Sequence, residues 1–203
     1  MVYALVLAAG RSRRFGGDKL LAGIRGVPLL AHVVGPLSRA HTDGTLAGGL
    51  VVLPLENPGR EAIVRQSGLE YAFNPVRDSG VAESIRIGLI ELASRHPDAE
   101  AALVFQGDQP AVNPGVMTRL ISAWQSEGRP VVRPRYMMDP EKPGHPVLLE
   151  RSIWARADEL RGDTGFAPML NNHPELVTTV DVQGTNPDIN IPSDLTMWEL
   201  GKV

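Results

Sequence analysis

Apolar and polar positions along the chain alternate between two kinds of pattern. Val2 to Ala9 (VYALVLAA) is an unbroken apolar run that stops at Gly10, which is how a strand covered on both faces reads. Residues 10–28, rich in Gly and Arg, read as loop. Pro28-Leu29-Leu30 opens a helix to about Arg39, which Pro36 should kink or shorten. Gly49 to Leu53 is a second strand, Pro58 to Gln66 a short helix, and Glu70 to Phe73 a brief third strand. Val81 to Arg95 places Ile85, Leu89 and Leu92, with Ile87 and Ile90 beside them, on one broad helical face. Ala101 to Phe105 is another apolar run, ending just before Gly107. Helix resumes from Pro114 to about Ser126. Pro130 to Arg133 and Pro146 to Leu149 are strands separated by a Pro/Gly-rich excursion at residues 134–145. Ser152 to Leu160 and Thr164 to Leu170 read as helices, Leu176 to Val182 as a strand, and Pro192 starts a last helix. Strands alternating with helices predict a single α/β domain over residues 1–203, a three-layer, doubly wound and mostly parallel sheet. Such sheets bind ligands beyond the carboxyl ends of their strands, so the residues just after each apolar run carry the chemical interest.

Composition narrows the functional classes. The 203 residues are 43% hydrophobic and 21% charged, close to an ordinary globular protein, and a chain of this length needs no covalent staple. Cysteine is absent, which excludes disulfides, thiol catalysis and cysteine-bound metal, and fits a reducing cytoplasm. Twenty basic against 23 acidic residues leave a net charge of −3, no footprint for nucleic acid. No apolar run approaches the ~18 residues of a membrane span, and the first one lacks the basic flank of a signal peptide. A cytoplasmic protein with no membrane contact is expected.

The loop after the first run concentrates charge. Residues 10–19 hold four of the 20 basic residues (Arg11, Arg13, Arg14, Lys19) and three glycines. Glycine lets the backbone turn its N–H groups toward an anion, Arg grips phosphate oxygens through its fork, and Lys adds a mobile point charge. Charge-assisted bonds of this kind are worth roughly 1.5–3 kcal/mol each. The loop is not a Walker A motif, since Leu20 follows Lys19, nor a Gly-x-Gly-x-x-Gly fingerprint. A solvated basic turn is the plainer alternative, but the loop sits where the first strand of an α/β sheet delivers its ligand. Asp108, just beyond the Ala101–Phe105 run, should project a hard oxygen into the same cleft, where Mg²⁺ with one or two protein ligands would suit it. Asn74 and Ser84 suit either base recognition or local turn and cap chemistry around Ser79-Gly80. Trp124, Trp154 and Trp198 lie in expected helices and read as core.

These residues resemble a known family. Leu7-Ala8-Ala9-Gly10, then Arg14-Phe15-Gly16 and Lys19, is similar to the LAAG-x-S-x-R-M-G-x-x-K signature of MobA-like nucleotidyltransferases, with Phe15 in place of Met. The family includes molybdenum cofactor cytidylyltransferases and guanylyltransferases. The likeness continues through Asn74 to Leu89, Gly107-Asp108-Gln109-Pro110, Gly144-His145-Pro146-Val147, Gly162-Asp163-Thr164-Gly165 and Asp188 to Leu195.

The resemblance implies a Rossmann-like fold of the nucleotide-diphospho-sugar transferase type. It also implies transfer of a nucleotidyl group from an NTP to a small phosphorylated acceptor such as molybdopterin, and a molybdoenzyme or its chaperone as a partner. Arg14, Lys19 and Asp108 would be catalytic. Leu7, Ala8, Ala9, Gly10, Arg11, Ser12, Arg13, Gly16, Asn74, Gly80, Ser84 and Gly107 would hold the nucleotide. Gly144, His145 and Asp163 would line the acceptor side, Gly144 and His145 in a tight Pro143–Pro146 loop. Asp108 and Asn190 would bind Mg²⁺. Relatives read D-x-D-T-P-E-D-L where this chain has Asp188-Ile189-Asn190-Ile191-Pro192-Ser193-Asp194-Leu195, so one carboxylate becomes an amide. Ala9 tilts the donor toward CTP over GTP. Two other functions fit the same loop. One is an NADPH- or NADH-dependent reductase of a quinone-like pigment of the nicotine blue type, a chemistry the family also contains. The other is a silent nucleotide-binding or cofactor-delivery protein.

Overall fold

The computed structural model describes residues 1–76, 80–142 and 144–201. Ser79 of the expected turn and Pro143 of the expected loop lie outside them. The first apolar run forms β1 (Val2–Leu7), every residue of which is buried. After the Gly/Arg loop comes a small hairpin, β2 (Gly23–Ile24) and β3 (Val27–Pro28), in a stretch expected to be loop throughout. Arg25 and Gly26, at φ +50° and +79°, make its two-residue turn. The chain then alternates α1 (Leu29–Thr42), β4 (Gly48–Pro54), α2 (Pro58–Ser67), β5 (Glu70–Asn74), α3 (Gly80–Arg95), β6 (Ala101–Gln106) and α4 (Pro114–Glu127). It closes with β7 (Val131–Tyr136), β8 (Val147–Glu150), a 3-10 segment at Arg151–Glu159, α5 (Ala167–Asn172), β9 (Val177–Val182) and α6 (Pro192–Glu199).

Seven strands form one sheet in the order β5-β4-β1-β6-β8-β7-β9. Only β8 runs against the others: it pairs antiparallel with both β6 and β7, while the remaining pairs are parallel. Alternation along β1 sends Val2, Ala4 and Val6 into a core shared with α1 and α4, and Tyr3, Leu5 and Leu7 into one shared with α3, the 3-10 segment and α5. This is the expected three-layer arrangement. The strand order reverses at β1, with β4 on one side and β6 on the other, so a crevice opens at their carboxyl ends.

Three expected elements differ. Pro36 does not end α1, because Leu29, Leu30, Val33, Val34, Leu37 and Ala40 bury one continuous face whose packing outweighs the one lost backbone bond. The segment expected as a helix at Ser152–Leu160 is a tighter 3-10 helix, and the helix expected from Thr164 begins only at Ala167.

Candidate active site

Two chain exits meet at the crevice. Leu7 ends β1 and Gln106 ends β6, and the Gly107 N–H donates to the Leu7 carbonyl at 3.0 Å. A Cβ at Gly107 would lie 3.0 Å from that oxygen and 3.2 Å from the Ala8 Cβ, so a side chain there would push the two exits apart. Beyond them lies a cleft of about 650 Å³, within the usual range for a small-molecule site. Leu7, Ala9, Gly10, Arg11, Ser12, Arg13 and Lys19 line it from the β1 side, Asn74, Gly80 and Ser84 from the α3 side, and Asp108 from β6.

Lys19 and Asp108, 89 positions apart, form the centre of the charge arrangement. The Lys19 ammonium donates to the Asp108 carboxylate at 2.5 Å and to the Ile189 carbonyl at 2.9 Å, with side chains 14% and 23% exposed. Arg14 turns toward the C-terminal segment and donates to the Asn190 side-chain oxygen at 3.0 Å. Asn190 is itself positioned by Asp194, which accepts the backbone N–H groups of Asn190 and Ile191 at 2.7 and 2.9 Å. Ser12 stands at φ +54°, a costly conformation for a residue with a side chain, and its shielded hydroxyl has no hydrogen-bond partner among the described residues. A sheltered hydroxyl with nothing to donate to suits an incoming oxyanion.

A buried anchor stands beneath this loop. Arg60, only 2% exposed, donates to the Ala8 carbonyl at 2.6 Å and the Gly10 carbonyl at 2.9 Å, and grips Asp18 at 2.7–3.1 Å. Asn57 adds a 2.7 Å bond to Asp18 while its side-chain oxygen caps α2. Burial pushes the Asp18 carboxyl up, but the bonds from Arg60 and Asn57 outweigh it and hold the group below its ordinary value. The sequence did not single out Arg60, Asp18 or Asn57. Asn57-Pro58 was readable as a helix start, but nothing in the spacing of α2 sets Arg60 apart from a solvated arginine.

The other expected residues divide. Asn74 and Ser84 face the cleft but also bond each other at 3.0 Å, and the Asn74 oxygen accepts from the Val76 N–H at 2.9 Å. Ala8 is corrected from a nucleotide contact to a buried support: it is 1% exposed, its carbonyl is held by Arg60 and its N–H by the Val52 carbonyl. Gly16, at φ +78°, serves the turn and is not on the cleft wall; neither are Arg14, Gly107 and Asn190, which border it. Gly80, at φ +76°, packs on the 162–163 loop, where a Cβ would meet the Gly162 carbonyl at 2.4 Å. Asp163 accepts the Val81 N–H at 3.1 Å and thereby caps α3.

Gly144, His145 and Asp163 line a second, smaller cavity of about 180 Å³, which shares Leu7, Val81, Gln106 and Asp163 with the main cleft. His145 lies 3.4 Å from the Gln106 side-chain nitrogen, and its carbonyl accepts the Tyr136 hydroxyl at 2.8 Å. Burial lowers the His145 imidazole below its ordinary value, against the opposing pull of Asp188 and Asp108, so the ring is neutral at neutral pH. Burial likewise pushes Tyr136 up to about 12, which keeps its hydroxyl a donor.

Metal-binding capacity is modest. Among the described residues no cluster of three or more acidic or His side chains could hold a metal. Asp108 and Asn190 offer one carboxylate and one amide oxygen at the cleft, each now bonded to a cationic side chain. Two hard oxygens with the remaining positions left to water and phosphate fit the habits of Mg²⁺. No helix among the described residues is long and apolar enough to cross a membrane.

Comparison with known proteins bears on the fold and the family. A protein named probable molybdenum cofactor guanylyltransferase, from Pyrococcus horikoshii, is 29% identical over 133 residues, covering 66% of this chain and 62% of its own length. The match therefore stops short of two thirds of that relative. Among solved structures, Rv0371c from Mycobacterium tuberculosis superposes with a TM-score of 0.81 at 24% identity, over 98% of both chains. A complex of Rv0371c with manganese gives a TM-score of 0.77 at 23% identity, over 100% of this chain and 99% of that one. A CMP:2-keto-3-deoxy-manno-octonic acid synthetase complexed with CTP gives 0.76 at 17% identity, over 99% and 98% of the two chains. At these identities the superpositions speak for the fold. The model of the MobA-like NTP transferase domain matches residues 4–177, most of the chain, from within β1 to the start of β9: the chain belongs to the MobA-like NTP transferase family.

Proposed function

We propose that the protein transfers a nucleotidyl group from an NTP, with CTP favoured over GTP, to a small phosphorylated acceptor such as molybdopterin. The observation that carries this reading is the Lys19 ammonium, which closes the Gly10–Lys19 loop and is held by Asp108 and the Ile189 carbonyl at the mouth of the β1/β6 crevice. An acceptor phosphate oxygen forms a bond to the α-phosphorus, the bond from that phosphorus to the β-phosphate oxygen breaks, and pyrophosphate leaves. No protein nucleophile is needed; alignment and charge neutralisation supply the rate. The Ser12 hydroxyl and the loop amides receive phosphate oxygens. Lys19 and Arg14 exchange their present partners for the β- and γ-phosphates, where negative charge builds on the leaving group. That exchange frees the side-chain oxygens of Asp108 and Asn190 from their present cationic partners. Asp108 and Asn190 would hold a divalent cation, Mg²⁺ by the chemistry of these two donors, and it would supply Lewis-acid stabilisation to phosphoryl oxygens. Ala9, on the cleft wall, is the feature that favours CTP. The reductase alternative has no counterpart among the relatives described above, which are transferases by name or neighbours in fold.

The test is pyrophosphate release from CTP or GTP with molybdopterin and Mg²⁺. Turnover with CTP above GTP is expected, with Lys19→Met lowering kcat/KM by roughly 10²–10³-fold. Failure of every NTP to release pyrophosphate, with NADPH binding unaffected by a chelator, would overturn the reading.

A further inference from the structure

The smaller cavity carries more information than its contact with the main cleft. Its wall is largely apolar, with Ile85 from α3, Val147 and Leu149 from β8, and Phe166 and Leu170 around α5. Among the described residues that line it, one side chain is permanently cationic. Along β7, Val131 packs into the core shared with α3, and Val132 into the opposite one, so alternation turns Arg133 to the α3 side. Arg133 is half-buried there and has no hydrogen bond or ion pair among the described residues. The next outward arginine on the strand, Arg135, is held by Asp181 at 2.6 and 2.9 Å, so an unpaired guanidinium is not the habit of this strand. Asp163, the carboxylate that also lines the cavity, is committed to the N-terminus of α3. A half-buried arginine whose donors meet no protein acceptor among the described residues is open to a planar anion, which can meet its fork through paired bonds.

We infer that this cavity receives the far end of the acceptor, an apolar group bearing a second anionic substituent that pairs with Arg133. The inference rests on the transferase reading for which end of the acceptor reacts, not for the occupancy of the cavity. A dry apolar cavity of about 150 Å³ holds benzene, so a volume of about 180 Å³ is room for one ring of the acceptor or a short branched chain. Continuity through Leu7 and Gln106 lets one molecule place a phosphate at the main cleft and its apolar body here. Carboxylate and phosphate are both admissible partners for Arg133, and the geometry of a fork favours either over a single-point acceptor.

Calorimetric titration without nucleotide tests this with three probes: inorganic phosphate, phenyl phosphate, and 4-carboxyphenyl phosphate, which adds the second anion across the ring. The expected order is 4-carboxyphenyl phosphate at least tenfold tighter than phenyl phosphate, and phenyl phosphate tighter than phosphate. Arg133→Met should erase the first step only, while leaving CTP affinity unchanged and the melting temperature equal or higher, since no native partner is lost. Equal affinity of the two aryl phosphates, or a preference that survives Arg133→Met, overturns the inference. Because nucleotide is absent from these titrations, failure of the transferase reading shows separately, in the pyrophosphate assay.

Discussion

Asp18 and Arg60 show how one residue pair sets the chemistry of a loop it does not belong to. Arg60 is almost wholly buried and Asp18 is 23% exposed at its side chain, so removing one charge strands the other in a poorly solvated place. Asp18→Asn should cost roughly 2–4 kcal/mol at pH 7. Its folded pKa is depressed, so its contribution is complete above the ordinary aspartate value of 3.8 and is lost as pH falls through the lower folded value. The stability gap between wild type and Asp18→Asn should therefore close in strong acid, which urea midpoints across a pH series would show. At this scale the sequence was half legible. Asp108 could be read because it stands just past an apolar run, and Lys19 because it closes the basic, glycine-rich loop that follows another. Arg60 could not, since its partners Asp18, Ala8 and Gly10 lie 42–52 positions away and only the folded sheet unites them.

Elements were legible wherever one physical term dominated. The buried strands β1, β4 and β6 announce themselves as apolar runs, and Trp154 took the core position expected of it, its indole N–H satisfied by the Leu149 carbonyl at 2.9 Å. The Arg25-Gly26 hairpin escaped notice because two-residue strands have no period to detect. Pro36 does not break α1 because the tertiary burial of that helix, which leaves no local mark in the sequence, overrides propensity. The start of α3 depends on the neighbouring loop: the Ala82 N–H donates to the Gly162 carbonyl at 3.0 Å and the Val81 N–H to Asp163. Gly80→Ala combines a left-handed backbone with a 2.4 Å approach to that carbonyl. It should cost roughly 2–4 kcal/mol in urea unfolding, by strain and overpacking together. Acceptor affinity should weaken with it, because the displaced loop lines both cavities.

For the whole molecule, the alternation of strands and helices was enough to give three layers and a mostly parallel sheet. The reversed β8 was not foreseeable, since strand direction leaves no mark on composition. Covering β1 on both faces and pairing it on both edges should make it the last part to open: Ala4, Leu5 and Val6 have no exposure. Their amides should exchange with deuterium only on global unfolding, while those of the outer strands β5 and β9 exchange earlier, as residue-resolved hydrogen exchange would show. A net charge of −3 also means that the field of the protein as a whole repels a triphosphate, and attraction must be arranged within a few ångströms. Part of that arrangement involves no side chain of the loop. A trans peptide points its N–H opposite to its C=O. With the oxygens of residues 8 and 10 tethered backward by a guanidinium from the neighbouring helix, the amides of Ala9 and Arg11 must face the other way. The helix thus sets the tilt of two peptide planes, and the dipoles are oriented before any guest arrives.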